Sequence, residues 1–169
     1  MGFITYDGMV ALDFMGGYDP LSRLRTAGFV PDLQGEICAY SSEVKDGSGL
    51  GFVPTRIGES LQEYHMIIVP GGFASRRLVN DPEFIQWIKT AEPCKLKAAV
   101  GTGSLLLGAA GFLKGKKATT HPRARDDLRK FCLSVVDQRI VDEGEIITAR
   151  GVTSSIDLGL YLCEKFLSC

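Results

Sequence analysis

Lys97 to Gly108 reads K-A-A-V-G-T-G-S-L-L-L-G. A short apolar run meets Gly101, Thr102, Gly103 and Ser104, and an apolar, helix-prone run follows at once. That order predicts a buried strand turning sharply into a buried helix. It is the layout of a nucleophile elbow, in which small neighbours allow a strained turn that lifts one side chain above a sheet. The amides at the start of the following helix then face any developing anion. The apex position is Gly101, and the hydroxyls of Thr102 and Ser104 lie past it. Two other readings stay open here. A Gly-rich turn of this kind also binds phosphate groups, and it also forms wherever a helix packs close to a sheet. The run lacks the third glycine of a dinucleotide fingerprint, whose place holds Leu106, and lacks the Gly-Lys-Ser/Thr of a P-loop.

Outward from this segment, short apolar runs alternate with helical patterns. Phe3–Tyr6, Ile37–Tyr40, Met66–Val69, Lys97–Val100 and Lys117–Thr120 read as strands. Leu12–Thr26 has helical spacing, with a break predicted near Pro20. Asp46–Gly51 reads as a loop or hairpin turn. Asp81 and Pro82 supply an N-cap and a first helical residue. The helix after Ser104 is expected to end near Gly115, and Pro122–Phe131 reads as an exposed helix. Arg139–Val141 and Ile146–Thr148 flank Asp142–Gly144 as a hairpin. Ser154–Leu167 reads as a closing helix with Ile156, Leu160, Cys163 and Leu167 on one face. Alternating strands and helices predict an α/β fold with a mostly parallel sheet covered on both faces. Ligands in such folds sit at the carboxyl ends of strands. Three loops qualify: the one after Tyr6, Pro70–Gly72 after Val69, and Gly101–Ser104 after Val100.

The chain has 169 residues, expected to form one domain spanning 1–169. At this size about 70% of the extended surface is buried, leaving roughly 8,100 Å² exposed. Hydrophobic residues make up 45%, which excludes a disordered chain. Nineteen Lys and Arg against 20 Asp and Glu leave no basic excess for nucleic acid. The longest uncharged run, Ala98–Leu113, has 16 residues, too short to span a bilayer. The N-terminus lacks the basic start of a signal peptide. Five cysteines (Cys38, Cys94, Cys132, Cys163, Cys169) form no CxxC pair, and only His65 and His121 accompany them. Neither a metal site nor a disulfide framework is expected, and reduced thiols in a cytoplasmic protein are. Cys38 reads as buried and inert, and Cys132, Cys163 and Cys169 as core or terminal thiols. His65 reads as a surface or edge residue. Arg76–Arg77 reads as an ordinary solvated pair, with steering of an anionic substrate as the alternative. Arg123, Arg125, Arg129 and Lys130 read as a solvated helix face.

Four stretches together carry a resemblance: DGMVALDFMGGYDPL (7–21), IIVPGGF (67–73), AAVGTGSLLLGAAGFLKGKKATTH (98–121) and ITARGVTSSIDLGLYL (147–162). In order and spacing the chain resembles the ThiJ/PfpI superfamily, and within it the isonitrile hydratases. The resemblance implies a flavodoxin-like three-layer α/β sandwich, a homodimer, a small-molecule substrate and no cofactor. It also implies a cysteine at the elbow paired with an acidic side chain from the first helix. Those positions match Gly101 and Asp13. Thr102 matches a residue contributing its backbone N–H and hydroxyl, and Gly72 the other oxyanion-hole amide. His121 matches a histidine at the end of its strand, although Pro122 follows where those hydratases carry an aromatic residue.

The implied reaction is thiolate attack on the terminal isonitrile carbon, proton transfer through Asp13, and hydrolysis of a thioimidate to an N-substituted formamide. Gly101 has no side chain to attack with, so no turnover is expected from the chain as written. With Asp13, the glycines and Thr102–Ser104 all retained, a deliberate disarming of the site is the preferred explanation over natural loss. Glycine should also relax the elbow, where a side chain costs ~1–3 kcal/mol. Other superfamily activities, namely glyoxalase, deglycase or amidase work, are the alternatives. Thr102 stands where the amidase-like branches place histidine. A non-catalytic ligand-binding homologue, as in the sensor half of some regulators, is a third reading. That one calls for an attached DNA-binding domain, which is not expected within these 169 residues.

Overall fold

Apolar residues fill every position of Phe3–Ile4, Met66–Val69, Ala98–Val100 and Ile146–Ile147, and all are buried. Strands buried on both faces belong in a parallel sheet covered by helices, and that is the fold of the computed structural model, which describes residues 1–168. The chain runs β1 (Gly2–Thr5), α1 (Ala11–Thr26), β2 (Glu36–Ala39), β3 (Val44–Lys45), β4 (Gly51–Phe52), β5 (Arg56–Ile57), β6 (Met66–Val69), α2 (Ser75–Leu78), α3 (Pro82–Lys89), β7 (Leu96–Val100), α4 (Gly103–Ala109), β8 (Lys117–Ala118), α5 (Arg125–Arg129), β9 (Ser134–Val135), β10 (Ile140–Asp142), β11 (Ile146–Ala149) and α6 (Ser154–Leu167).

The main sheet has the order β10-β11-β7-β6-β1-β2-β5. All pairs are parallel except the β10–β11 hairpin. The inner order β2-β1-β6-β7-β11 is that of flavodoxin-like folds. The connection from β1 steps one way to β2, and the connection from β6 steps the other way to β7. With right-handed crossovers, α1 and α3 therefore lie on opposite faces. Helix α6 packs beside α1, while α2, α3 and α5 gather around α4. Connections diverge between β1 and β6, so a crevice opens at that switch point.

Several expectations are corrected. Helix α1 runs unbroken through Pro20. Proline removes the N–H that would bond the Gly16 carbonyl, but that carbonyl lies against Gly159 of α6, where no Cβ stands in its way. Helix α4 stops at Ala109, short of Gly115. Gly111 adopts φ +90°, and the bonds Gly111 N–H to Gly108 O and Phe112 N–H to Leu107 O close the helix as a Schellman motif. The expected strand at Lys117–Thr120 keeps two residues, β8, paired with β9 outside the main sheet. Thr119 and Thr120 bond instead to Thr148 and Gly101. The expected helix at 122–131 is a 3-10 turn, Pro122–Ala124, followed by α5.

The apolar stripe of α6 faces outward. Ile156, Leu160 and Leu167 are 44%, 55% and 52% exposed, and the buried face is Ser154, Ser155, Leu158, Gly159 and Leu162. Ser155 and Gly159 take the points of contact with α1 because the two backbones nearly touch there, while Leu158 and Leu162 are buried beside them. A Cβ on Gly159 would overlap the Gly16 carbonyl, and one on Gly16 would overlap Ser155. Ser155 Oγ donates to Leu12 O across the same seam, 3.0 Å. Gly159→Leu should therefore separate the two helices and cost about 1–3 kcal/mol, read as a fall in the urea unfolding midpoint. An unchanged midpoint would show that the seam has slack.

Candidate active site

Strands β1, β6 and β7 lie side by side, so the segments leaving their carboxyl ends meet. The first brings Asp13, in the opening turn of α1. The second brings Pro70–Gly71–Gly72, and the third Gly101–Thr102. Asp13 is 3% exposed, and its Oδ2 accepts the Gly71 N–H at 3.0 Å. Gly71 is required at that spot. A Cβ there would stand 2.7 Å from Asp13 Oδ2 and 2.9 Å from both Thr102 N and Val100 O.

Gly101 holds φ +52°, so the left-handed elbow turn forms with glycine at no steric cost. Its N–H donates to Ala149 O at 2.9 Å. Its carbonyl accepts the hydroxyls of Ser104 at 2.8 Å and Thr120 at 2.9 Å. A Cβ built on Gly101 would lie 3.4 Å from Asp13 Oδ2 and 3.5 Å from Gly151 Cα. The structure thus brings Asp13 and the apex of the elbow together.

Thr102, 7% exposed, clasps the second loop. Its Oγ1 accepts the Gly72 N–H at 2.8 Å and donates to the Gly72 carbonyl at 3.1 Å. The Gly72 N–H, expected as an oxyanion-hole amide, donates here to the Thr102 hydroxyl. The Thr102 N–H has no protein acceptor among the described residues.

A cavity of ≈ 340 Å³ opens above these groups, lined by Val10, Asp13, Gly72, Phe73, Arg76, Gly101, Thr102, His121, Arg123, Gly151 and Val152. All five residues expected at the site line it. His121 caps the 3-10 turn, its Nδ1 accepting the Arg123 N–H at 3.2 Å. Burial, and then repulsion from Arg123, Arg76 and Arg150, lower its imidazole below the ordinary value. The lining arginines come from two segments read as solvated surface, and nothing local to either segment announces that they meet. His65 is exposed, as expected. Cys38, Cys94, Cys132 and Cys163 are unpaired, and none lines the cavity. Burial pushes the Cys38 thiol up to about 11, which makes it a poor nucleophile. Cys169 lies outside the described residues. Among the described residues no cluster of metal-ligating side chains occurs, and no helix is long and apolar enough to cross a membrane.

Asp13 Oδ1 has no hydrogen-bond partner. Burial raises the carboxyl to about 7, with the Gly71 amide pulling the other way. The sign of the linkage follows. Below pH ~4 the carboxyl is protonated in both folded and unfolded chains. Between pH ~4 and about 7 the unfolded chain ionises while the folded one keeps its proton, so stability falls as pH rises and then levels off. Asp13→Asn, near in shape and always neutral, should leave stability at pH 3 unchanged and raise it at pH 8 by about 2–4 kcal/mol. Urea unfolding at the two pH values measures this, and equal effects at both would refute a raised carboxyl.

The DJ-1/PfpI family pattern matches residues 2–165. An isonitrile hydratase of Pseudomonas putida is 34% identical over 169 residues, covering 99% of this chain and 72% of that protein. The HTH-type transcriptional regulator CdhR of Pseudomonas aeruginosa is 30% identical over 96% of this chain, which spans 49% of the regulator. The crystal structure of a ThiJ/PfpI family protein from Pseudomonas syringae superposes with a TM-score of 0.86 at 31% identity, covering 98% of this chain and 67% of that one. With a buried acid beneath a glycine-rich elbow in the flavodoxin-like strand order, the chain belongs to the DJ-1/PfpI family.

Proposed function

We propose that this pocket is built for isonitrile hydration of the thioimidate type, and that Gly101 leaves the chain as written without its nucleophile. The observation that carries the reading is the 3.4 Å between the Cβ position of residue 101 and Asp13 Oδ2. A cysteine there would place its sulfur over the cavity beside a carboxyl that holds a proton near neutral pH. The thiolate would bond to the terminal isonitrile carbon, and the Asp13 proton would pass to that same carbon, giving a thioimidate. Water would add to the C=N bond, with the Asp13 carboxylate taking its proton and passing it to the nitrogen. Breaking the C–S bond would release the N-substituted formamide and return the thiol. The similarity to the isonitrile hydratase of Pseudomonas putida supports the choice of substrate.

A second reading, a ligand-binding homologue with no chemistry, is favoured by Gly101 itself and by the similarity to a transcriptional regulator. It predicts that a restored nucleophile still does nothing. Glyoxalase, deglycase or amidase work would share the same thiol and acid. A cytoplasmic setting with reduced thiols goes with the proposal, and so does a homodimer. Leu12 and Met15 on α1, with Ile156 and Leu160 on the adjoining α6, give the homodimer an apolar face to bury.

Gly101→Cys should raise hydration of cyclohexyl and aryl isonitriles by at least ~10³-fold over the unaltered chain, followed by formamide appearance. It should also lower stability by ~1–3 kcal/mol, because a side chain at φ +52° is strained. Lactate release from methylglyoxal by the same variant, with no isonitrile turnover, would move the assignment to the glyoxalases. Inactivity on both would favour the ligand-binding reading. For the dimer, Leu160→Asp should halve the mass seen by light scattering, and a monomeric unaltered chain would remove the dimer from the proposal.

A further inference from the structure

The cavity is lined by two arginines that the hydration chemistry does not use. Arg76 on α2 and Arg123 in the turn before α5 both line it. Arg76 makes only a long contact with Asp127, Nε to Oδ2 3.5 Å, and its side chain stays 38% exposed. Arg123 makes no ion pair among the described residues. Arg150, next to the lining residue Gly151, is held by Asp137 at 3.1 Å, and Arg125 engages the same carboxylate. Asp137 is thus already paired, and neither it nor Asp127 lines the cavity. Asp13, buried beneath residue 101, is the one carboxyl in the lining. His121 adds no charge at neutral pH. With Nδ1 accepting from Arg123, its ring proton sits on Nε2. Val10, Phe73 and Val152 supply the apolar part of the wall.

We propose that the pocket takes a small ligand with an anionic end, a carboxylate, held by Arg76 and Arg123, and an uncharged end over residue 101. Two guanidinium forks offer paired N–H donors in the geometry a carboxylate accepts, and such charge-assisted bonds are stronger than those to neutral groups. A cleft rimmed by one sign of charge also concentrates ligands of the other sign. Taken with the hydratase reading, on which this last step alone rests, the substrate is an isocyano acid rather than a plain alkyl or aryl isonitrile.

Because the chain as written has no nucleophile, binding can be measured at equilibrium. Isocyanoacetate and its methyl ester differ in charge and share the isonitrile. Calorimetry should show the acid binding at least ~10-fold tighter than the ester. That ratio should shrink as salt is raised and fall to about one in the double variant Arg76→Gln, Arg123→Gln. Equal or weaker binding of the acid, no binding of either compound, or a preference that survives high salt and the double variant would each overturn the anion site. Turnover by the Gly101→Cys variant is read separately. Failure there on both compounds removes the hydratase reading and with it the isocyano acid, while the calorimetric ratio still decides the anion site.

Discussion

The carboxyl of Asp13 lies under residue 101 because Gly71 has nothing beyond its Cα. That one contact, a backbone N–H held 3.0 Å from Oδ2, requires β6 to end beside the first turn of α1. A single methyl at Gly71 would push into the carboxylate, the Thr102 amide and the Val100 carbonyl together. The rest of the site follows from the same crowding. Thr102 clasps Gly72 with its hydroxyl, which ties the two loops together. Oδ1 is sealed from solvent without a partner, and burial then keeps the proton on the carboxyl up to about pH 7. A carboxylic acid that changes state near the working pH is the form a general acid and base requires.

Much of this arrangement was legible in the sequence because it is written in local chemistry. An apolar run that meets Gly-Thr-Gly-Ser and reopens as a helix has few folded solutions, and β7, the elbow and α4 occupy one of them. Asp81 and Pro82 likewise start α3, the Asp81 side chain accepting from Glu83 and Phe84. Periodicity failed where packing is decided by what is absent. The stripe of Ile156, Leu160, Cys163 and Leu167 is real, yet α6 buries its serines and Gly159, since backbones that nearly touch exclude large side chains. Pro20 belongs to the same seam: a lost hydrogen bond is tolerated where the freed carbonyl finds close company. Arg76 and Arg123 were out of reach for another reason. They are far apart in the chain, each looks solvated among its neighbours, and only the fold sets them on one cavity. No sequence pattern reveals that a neighbouring hydroxyl accepts the Gly72 N–H.

The elbow itself shows that residue 101 does not impose its own conformation. The turn is pinned from outside: Ala149 accepts its N–H, and Ser104 and Thr120 both donate to its carbonyl. Thr120 comes from the segment after β8, which gives up main-sheet pairing, and Thr148 of β11 holds the preceding residue in turn. A left-handed backbone imposed by four neighbouring residues would be carried by a cysteine as strain, whereas glycine adopts it freely. Glycine at this position therefore leaves the groups around it in register. The Asp13 carboxyl and the Thr102 hydroxyl are both held by contacts that do not pass through residue 101. Chemistry and positioning are thus separable in this fold: the sulfur would supply the bond-forming step, and the surrounding loops hold the place where that step would occur.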